Sequence, residues 1–151
     1  MSSDMKEEEI HIAKRKIKEL QDAYSLAMDS GKYEHFPKIF TEDIEADYGK
    51  AGTGSGLDSL INICKSALDP LTSVQHMNGN HWSRINGVEA EAGCYFRVHM
   101  TRIGTAGGDH FEMGGKYTDH LIQVNNKWLI DRRRIDLLWS SGNPEVRYPT
   151  G

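Results

Sequence analysis

Four long strand-like segments fill most of the second half of the chain and constrain its fold more than any other feature. They lie near residues 72–85, 88–103, 109–125 and 127–139, with turn sequences between them at Asn86-Gly87, Gly104 to Gly108 and Asn125-Asn126. Turns of this composition favour hairpins, so consecutive segments are expected to pair antiparallel. The helices precede these strands, and that order predicts an α+β domain with helices on one face of the sheet.

The longest helix is predicted from Ile10 to Ser30. Its apolar residues recur at spacings of three and four, so they form one stripe, and Gly31 suits a left-handed position after the last turn. The stripe consists of Ile10, Ala13, Ile17, Leu20, Tyr24 and Ala27.

Shorter elements are predicted between this helix and the strands. They are a helical segment over residues 32–40, a strand over 44–48, a glycine-rich loop over 50–56 and a helix over 57–68. Ser55 and Asp58 resemble a capping box for that last helix. With the first helix, this makes three main N-terminal helices.

The predicted strands are long enough to bend, because strands of up to 17 residues usually curve around something and internal glycines provide sites for bulges. The candidate glycines are Gly79, Gly93, Gly114 and Gly115. A strongly curved sheet closed off by helices encloses a cone-shaped cavity, which suits a small apolar ligand. We expect a single domain over residues 10–147, with a disordered tail at 1–9 and a second tail at 148–151.

Composition excludes several function classes. The net charge is −4, and the basic run Arg132-Arg133-Arg134 lies in a strand that sends its members to opposite faces, so no nucleic-acid footprint is expected. No segment approaches the ~18 apolar residues of a membrane span. The polar, acidic N-terminus and the two cysteines, Cys64 and Cys94, predict a cytoplasmic protein with both thiols reduced and buried.

Asp29 and His76 are the candidate catalytic residues. A carboxylate in the last turn of a helix faces the negative end of the macrodipole and loses about 0.3–1 kcal/mol there, so Asp29 needs another reason for its position. Orienting a histidine, which suits acid–base chemistry near neutral pH, is such a reason. Two alternatives stay open: Asp29 caps the following helix, or His76 is a structural strand histidine.

Several motifs resemble the nuclear-transport-factor-2-like superfamily, and within it the SnoaL-like branch that includes scytalone dehydratase, dehydrochlorinases and bile-acid dehydratases. The resemblance covers residues 10–139 and implies a cone-shaped α+β barrel with an Asp–His dyad in its cavity. The motifs are Ala23 to Asp29, Phe40 to Asp43 with Asp47-Tyr48, Gln75-His76 with Asn78-Gly79 and Trp82, Gly115 to Asp119, and Trp128 to Ile130.

The resemblance implies that Asp29 and His76 form the dyad and that Tyr48 polarises a substrate carbonyl. His99 falls near a second polar pocket group of related enzymes, although by alternation it belongs either to a lined pocket or to ordinary solvated surface. Three positions depart from scytalone dehydratase: Met28 replaces a catalytic tyrosine, and Asp119 and Leu121 replace a polar serine and asparagine of a later strand. The candidate substrate-binding residues are His99, Tyr24, Met28, Trp82, Tyr117 and Asp119.

We therefore expect a cofactor-independent lyase, a dehydratase or dehydrohalogenase, that acts on a small, cyclic, largely apolar molecule. The alternatives are an isomerase or cyclase of a polyketide- or steroid-like substrate, and a non-catalytic small-molecule-binding protein. No metal site is expected, because the sequence has no HxH or HxxxH pair. The resemblance also implies a homo-oligomer, with a trimer favoured over a dimer. Asp119 has a further interpretation, in which it pairs with an arginine of the last strand.

Overall fold

The computed structural model describes residues 5–150, which form helices followed by a sheet of six strands. The two α-helices are α1, Glu7–Ser30, and α2, Leu57–Leu68. The strands are β1 (Phe40–Asp47), β2 (Thr53–Ser55), β3 (Ser73–Asn86), β4 (Glu89–Thr101), β5 (His110–Val124) and β6 (Lys127–Gly142). Short 3₁₀ helices lie at Tyr33–Lys38, Gly49–Ala51 and Pro144–Val146.

The sheet has the strand order β2-β1-β6-β5-β4-β3. Every neighbouring pair is antiparallel except β1 and β6, which run parallel. The expected α+β fold and the three hairpins that join β3 to β6 are confirmed. The sheet remains open rather than closing into a full barrel, with β2 and β3 at its edges, and the helices cover its inner face.

Bulges bend the long strands at three of the four candidate glycines, whereas Gly93 lies in a regular stretch of the β4–β5 pairing. The register shifts between Gly79 and Trp82 on β3 and again between Gly114 and Gly115 on β5. A methyl group on Gly115 would lie 2.4 Å from the Asp136 carbonyl oxygen, so only glycine fits there without a shift of the backbone. These bends wrap the sheet around the helices.

Several element boundaries differ from the expected ones. α1 begins at Glu7, so Glu7–Glu9 belong to its first turn, where acidic side chains suit the positive end of the helix dipole. The part of the expected tail at 1–4 lies outside the described residues. The helix expected over 32–40 is a 3₁₀ helix at Tyr33–Lys38, and β1 then begins at Phe40.

The predicted capping box of α2 is wrong. The N-cap residue is Gly56, which has a φ of 93° and no side chain to offer the helix. Ser55 instead belongs to β2, where its hydroxyl donates to the Glu45 carboxylate at 2.7 Å. A positive φ at the junction selects glycine, so backbone geometry decided this N-terminus.

The core lies between the helices and the inner face of the sheet, and aromatic rings dominate its centre. Tyr24 of α1 contacts Phe36, Phe40 and Tyr117 with ring centroids 5.6, 5.7 and 5.8 Å away. Tyr117 also stacks on Phe96 at 4.5 Å. Both cysteines are free and buried, as expected. Within residues 5–150, no helix combines the length and apolar character that a membrane crossing requires.

Candidate active site

The end of α1 and the start of β3 bring Asp29 and His76 into direct contact. The Asp29 Oδ1 atom lies 2.6 Å from His76 Nδ1, and Oδ2 accepts the backbone N–H of His76 at 2.9 Å. One carboxylate therefore holds both the main chain and the ring of a single residue. The ring is nearly buried, with a 6% exposed side chain, whereas that of Asp29 is 22% exposed.

This contact determines the chemistry of the imidazole. An ionised carboxylate can only accept hydrogen bonds, so Nδ1 carries the proton and Nε2 carries the lone pair. Among residues 5–150, no protein group hydrogen-bonds to Nε2. The ring lines an internal cavity, so its basic nitrogen is available there to a bound molecule.

The cavity beside His76 is narrow and mainly apolar, with a volume of about 80 Å³. Its walls come from α1, α2, the inner face of the sheet and the segment after β6. Four of the predicted site residues line it besides His76: Tyr24, Met28, Tyr48 and Tyr117. The apolar part of the wall includes Ala51, Ala67, Leu68, Phe96, Val98, Met100, Met113, Ile135 and Leu137. A small cyclic molecule matches a site of this character better than a large polar one.

Two buried phenols provide polar groups in this apolar wall. The Tyr48 hydroxyl donates to the Tyr24 hydroxyl at 2.9 Å, and the Cys64 sulfur lies 4.0 Å beyond. Burial raises the pKa of Tyr48 and of Tyr24 well above the ordinary value for a phenol, although the nearby Arg133 guanidinium opposes the shift. Both phenols therefore stay neutral at any physiological pH and keep a proton to donate.

A fully buried ion pair lies under these tyrosines. Arg133 of β6 makes two hydrogen bonds to Asp119 of β5, at 2.7 and 2.9 Å, and both side chains are 0% exposed. The guanidinium carbon also lies 4.4 Å from the Tyr24 ring centroid and 4.2 Å from that of Tyr117. Within the described residues, its Nη1 atom has no hydrogen-bond partner.

This geometry overturns the substrate-binding role predicted for Asp119 and agrees with its other interpretation, a pair with an arginine of the last strand. The Asp119 carboxylate accepts hydrogen bonds from Arg133 and from the amide of Gln21, the latter at 3.1 Å. The Asp119 side chain does not line the cavity. Arg133 is not among the predicted site residues. Strand alternation offered the signal for it: Arg132 and Arg134 are exposed, so the central arginine of the run points into the core.

His99 does not line the cavity, so of its two interpretations the pocket residue is wrong and the surface residue agrees with the structure. Its neighbours Val98 and Met100 line the cavity, so alternation sends His99 to the outer face of the sheet. There its Nδ1 lies 2.8 Å from a Glu112 carboxylate oxygen and its Nε2 lies 3.0 Å from His110 Nδ1. The side chain is 38% exposed.

Trp82 also lies outside the cavity, and a β-bulge is the reason. Asn80 has a φ of 54°, and the extra residue at this bulge reverses the alternation of β3. His81 consequently turns inward to Asp22 on α1 at 3.0 Å, whereas Trp82 turns outward and its ring packs against Arg84. The structural role expected for His81 agrees with this contact.

A second group of hydrogen bonds fastens β3 to α1 near the dyad. The Asn78 amide donates to Ser25 Oγ at 2.9 Å and to Asp22 Oδ1 at 3.2 Å. Asp22 and Asp29 are seven residues apart on one face of α1, so the helix presents both carboxylates to the same strand. These contacts hold the start of β3 against α1 beside the dyad, which itself is fixed by the two hydrogen bonds of Asp29.

No group of three or more His, Cys, Asp or Glu side chains within residues 5–150 is arranged to hold a metal ion. The polar groups of the cavity are instead an oriented imidazole and neutral phenols, with a buried guanidinium behind them. An imidazole of this kind can remove a proton, and the phenols can donate a hydrogen bond to an oxygen that becomes negative.

The family model of the SnoaL-like domain matches residues 11–134, which is most of the chain. A search of curated protein sequences finds no significant match. The sequence evidence for kinship therefore comes from the family model.

Solved structures with the same fold are similar over nearly their whole length. A protein from Novosphingobium aromaticivorans DSM 12444, provisionally named a scytalone dehydratase, is 19% identical with a TM-score of 0.78, covering 87% of this chain and 88% of the other. The Kfla4162 protein from Kribbella flavida is 13% identical with a TM-score of 0.83, covering 92% and 99%. The LinA-type3 hexachlorocyclohexane dehydrochlorinase from Novosphingobium barchaimii LL02 is 11% identical with a TM-score of 0.77, covering 87% and 90%. At such identities the likeness concerns the fold alone.

Proposed function

We propose that this chain, which belongs to the SnoaL-like domain family, is a cofactor-independent lyase that removes water or hydrogen halide from a small cyclic apolar molecule. One observation carries the proposal: Asp29 orients His76 so that its basic nitrogen is left for a molecule in an apolar cavity. The names of two similar structures, a dehydrochlorinase and a provisional dehydratase, agree with this class of reaction.

The proposed reaction begins with removal of a proton from carbon by His76 Nε2. The electron pair of that C–H bond forms a carbon–carbon double bond, and the leaving group departs from the adjacent carbon with its own bonding pair. A departing hydroxide takes the proton that His76 Nε2 has removed and leaves as water, which restores the neutral imidazole, whereas a halide leaves as the free anion and the imidazolium then releases its proton to solvent. Asp29 stabilises the imidazolium that forms, and one positioned base of this kind contributes roughly 10²–10⁴ in rate.

Tyr48 and Arg133 are proposed to stabilise negative charge that develops on the substrate. The hydroxyl of Tyr48 donates to Tyr24 in this structure, and reversing that hydrogen bond frees its proton for a substrate oxygen. Arg133 supplies a permanent positive charge behind the phenols, where little water weakens its field. Elimination and isomerisation both begin with the same proton transfer, so the isomerase or cyclase alternative uses these residues in the same roles.

The experiment that tests the proposal follows chemical change rather than binding. Cyclic β-hydroxyketones and halogenated cycloalkanes are incubated with the protein in D₂O, and mass spectrometry follows loss of water or hydrogen halide and uptake of deuterium. His76→Ala should abolish the change that the wild type catalyses. Tyr48→Phe should cost less, because Tyr48 is one donor among several. His81→Ala is the matched control, since His81 also pairs with an aspartate of α1 but does not line the cavity.

Equal turnover by the wild type and His76→Ala would contradict the proposal. If a cognate molecule binds without chemical change and His76→Ala alters only its affinity, the non-catalytic binding alternative replaces it. Loss of hydrogen halide or water distinguishes the lyase from the isomerase, which takes up deuterium without losing a group. The single-domain boundaries at 10–147, the cytoplasmic location and the homo-oligomeric state stay predictions.

A further inference from the structure

The segment after β6 forms one wall of the dyad cavity. The 3₁₀ helix Pro144–Val146 buries Val146, and Tyr148 then packs its ring against Phe111 at 6.3 Å. The Tyr148 hydroxyl lies 3.8 Å from the Met113 sulfur, which also lines the cavity. Tyr148, expected to begin a C-terminal tail, is therefore a packed residue of the site.

Two cations converge on the Tyr148 ring. Lys50 Nζ lies 4.0 Å from the ring centroid, and the Arg147 guanidinium carbon lies 4.6 Å from it. Among residues 5–150, neither side chain has a carboxylate within 4.0 Å. The adjacent Glu145 carboxylate is occupied by the backbone and hydroxyl of Thr150. Attraction to the ring contributes about 0.5–1 kcal/mol per cation at such sites and leaves both charges unneutralised.

The same residues separate the dyad cavity from a larger space at the surface. Arg147, Tyr148 and Ala67 line both the cavity and a neighbouring pocket of about 380 Å³. Arg102 lines that outer pocket as well, and neither lining includes an aspartate or a glutamate. The approach to His76 from this side therefore passes positively charged groups and avoids negative ones.

We propose that the substrate is an anion: an apolar ring that enters the dyad cavity and carries one oxyanion group, a carboxylate or a sulfonate, held by Arg147 and Lys50. This inference rests on the proposed function and specifies its substrate class. Arginine suits the role because its planar guanidinium matches two oxygens of one carboxylate and keeps its charge at all working pH values. Lysine adds a second charge at the same tyrosine wall.

Methionine methyl NMR tests this with a readout inside the cavity. Met28, Met100 and Met113 line it, whereas Met77 on β3 is 65% exposed outside it. Protein labelled with ¹³C at the methionine methyl groups is titrated with benzoate, benzenesulfonate and neutral benzamide, three ligands that share one ring. Methyl signals are assigned with single Met→Leu variants. We expect both anions to shift the signals of the cavity methyl groups and to bind about tenfold more tightly than benzamide. The difference comes from charge-assisted hydrogen bonds, so added salt should reduce it.

Variants of the two cations separate charge from packing. Arg147→Met should remove most of the tenfold preference for benzoate and leave benzamide binding unchanged, with Lys50 retaining the rest. Lys50→Met should have a smaller effect in the same direction, and Arg147→Lys should restore part of the preference. Lys116→Met is the matched control, because Lys116 is exposed on β5 and, among the described residues, its ammonium group does not pack on the Tyr148 ring as that of Lys50 does.

Three outcomes overturn the inference: equal affinity for benzoate and benzamide at the cavity methyls, equal weakening of both by Arg147→Met, or shifts confined to Met77. Absence of any benzoate-induced shift up to its solubility limit overturns it as well. The titration needs no turnover, so its failure is distinct from failure of the proposed lyase. If the preference for anions persists in His76→Ala and the wild type shows no turnover, the lyase is rejected and the anion site stands.

Discussion

Replacing Asp29 by asparagine should reverse the protonation of the His76 ring while keeping the shape of the contact. The carbonyl of the substituted amide can accept the backbone N–H of His76, as Oδ2 of the carboxylate does at 2.9 Å. The remaining NH₂ group then donates to Nδ1, so the ring proton moves to Nε2. The nitrogen that faces the cavity becomes a donor and can no longer act as the proposed base.

The expected loss of stability is small, because opposing terms act on this carboxylate. A hydrogen bond to a charged group contributes about 1.5–3 kcal/mol, against about 0.5–1.5 for a neutral one. Removing a negative charge from the C-terminal turn of α1 recovers about 0.3–1 kcal/mol. The net cost should be about 1–2 kcal/mol, or a fall in Tm of about 2–8 °C for a chain of this size. Turnover should fall far more, on the order of 10⁴.

Urea unfolding measures the stability, and ¹H–¹⁵N correlation through the imidazole ring shows which nitrogen carries the proton. Asp22→Asn is the matched control, since Asp22 also pairs with a histidine of β3 from the same face of α1. Its side chain is 42% exposed, so we expect a change below about 1 kcal/mol and no effect on the His76 ring. Persistence of the proton on Nδ1 of His76 in Asp29→Asn would refute the reasoning.

The remaining predictions concern the core, the thiols and the assembly. Arg133→Met should lower the free energy of unfolding in urea by about 3–5 kcal/mol, because Asp119 is left buried without its partner. Adding Asp119→Leu should recover much of that loss. If it does not, the loss comes from packing rather than from an unpaired charge. Burial raises the pKa of Cys64 and Cys94 from 9.0 to about 12, so the folded protein keeps protons that the unfolded chain releases. The contribution of the buried thiols to stability is complete below pH 9 and falls as the pH rises toward 12, by up to about 1.4 kcal/mol per pH unit for each thiol. Urea unfolding over that pH range measures the loss, and the folded protein should react slowly with a disulfide reagent at pH 8. Rapid reaction of the folded protein would contradict the prediction. Sedimentation of the wild type should give three times the mass of one chain. Trp139 is 43% exposed on the outer sheet face, so Trp139→Glu should lower the measured mass. A single-chain mass for the wild type rejects the trimer.

Local patterns were sufficient to predict the architecture. Apolar spacing identified α1, and Gly31 ends it in the left-handed conformation that its position suggested. Turn sequences placed the three hairpins, and the glycines at 79, 114 and 115 mark real bulges. These features depend on residues close together in the chain, so the sequence carries their physical cause directly.

The pairing of Asp29 with His76 follows from an unfavourable helix-end charge and from a resemblance, and the fold brings the two side chains together. The roles of these residues in catalysis stay proposals. Spacing alone left open that Asp29 caps the following helix, but the N-cap residue of that helix, Tyr33–Lys38, is Lys32, and no side chain caps it. A residue that is locally disfavoured can thus point to a partner distant in sequence.

Tertiary structure alone decided which side of each strand faces the cavity. The bulge at Asn80 turned Trp82 outward and His81 inward, because one extra residue reverses the alternation of everything beyond it. His99 followed the regular alternation of β4, but the direction of that alternation depends on where the helices pack. The face on which a strand side chain lies depends on the register between paired strands. That register is fixed only when the strands pair in the folded protein.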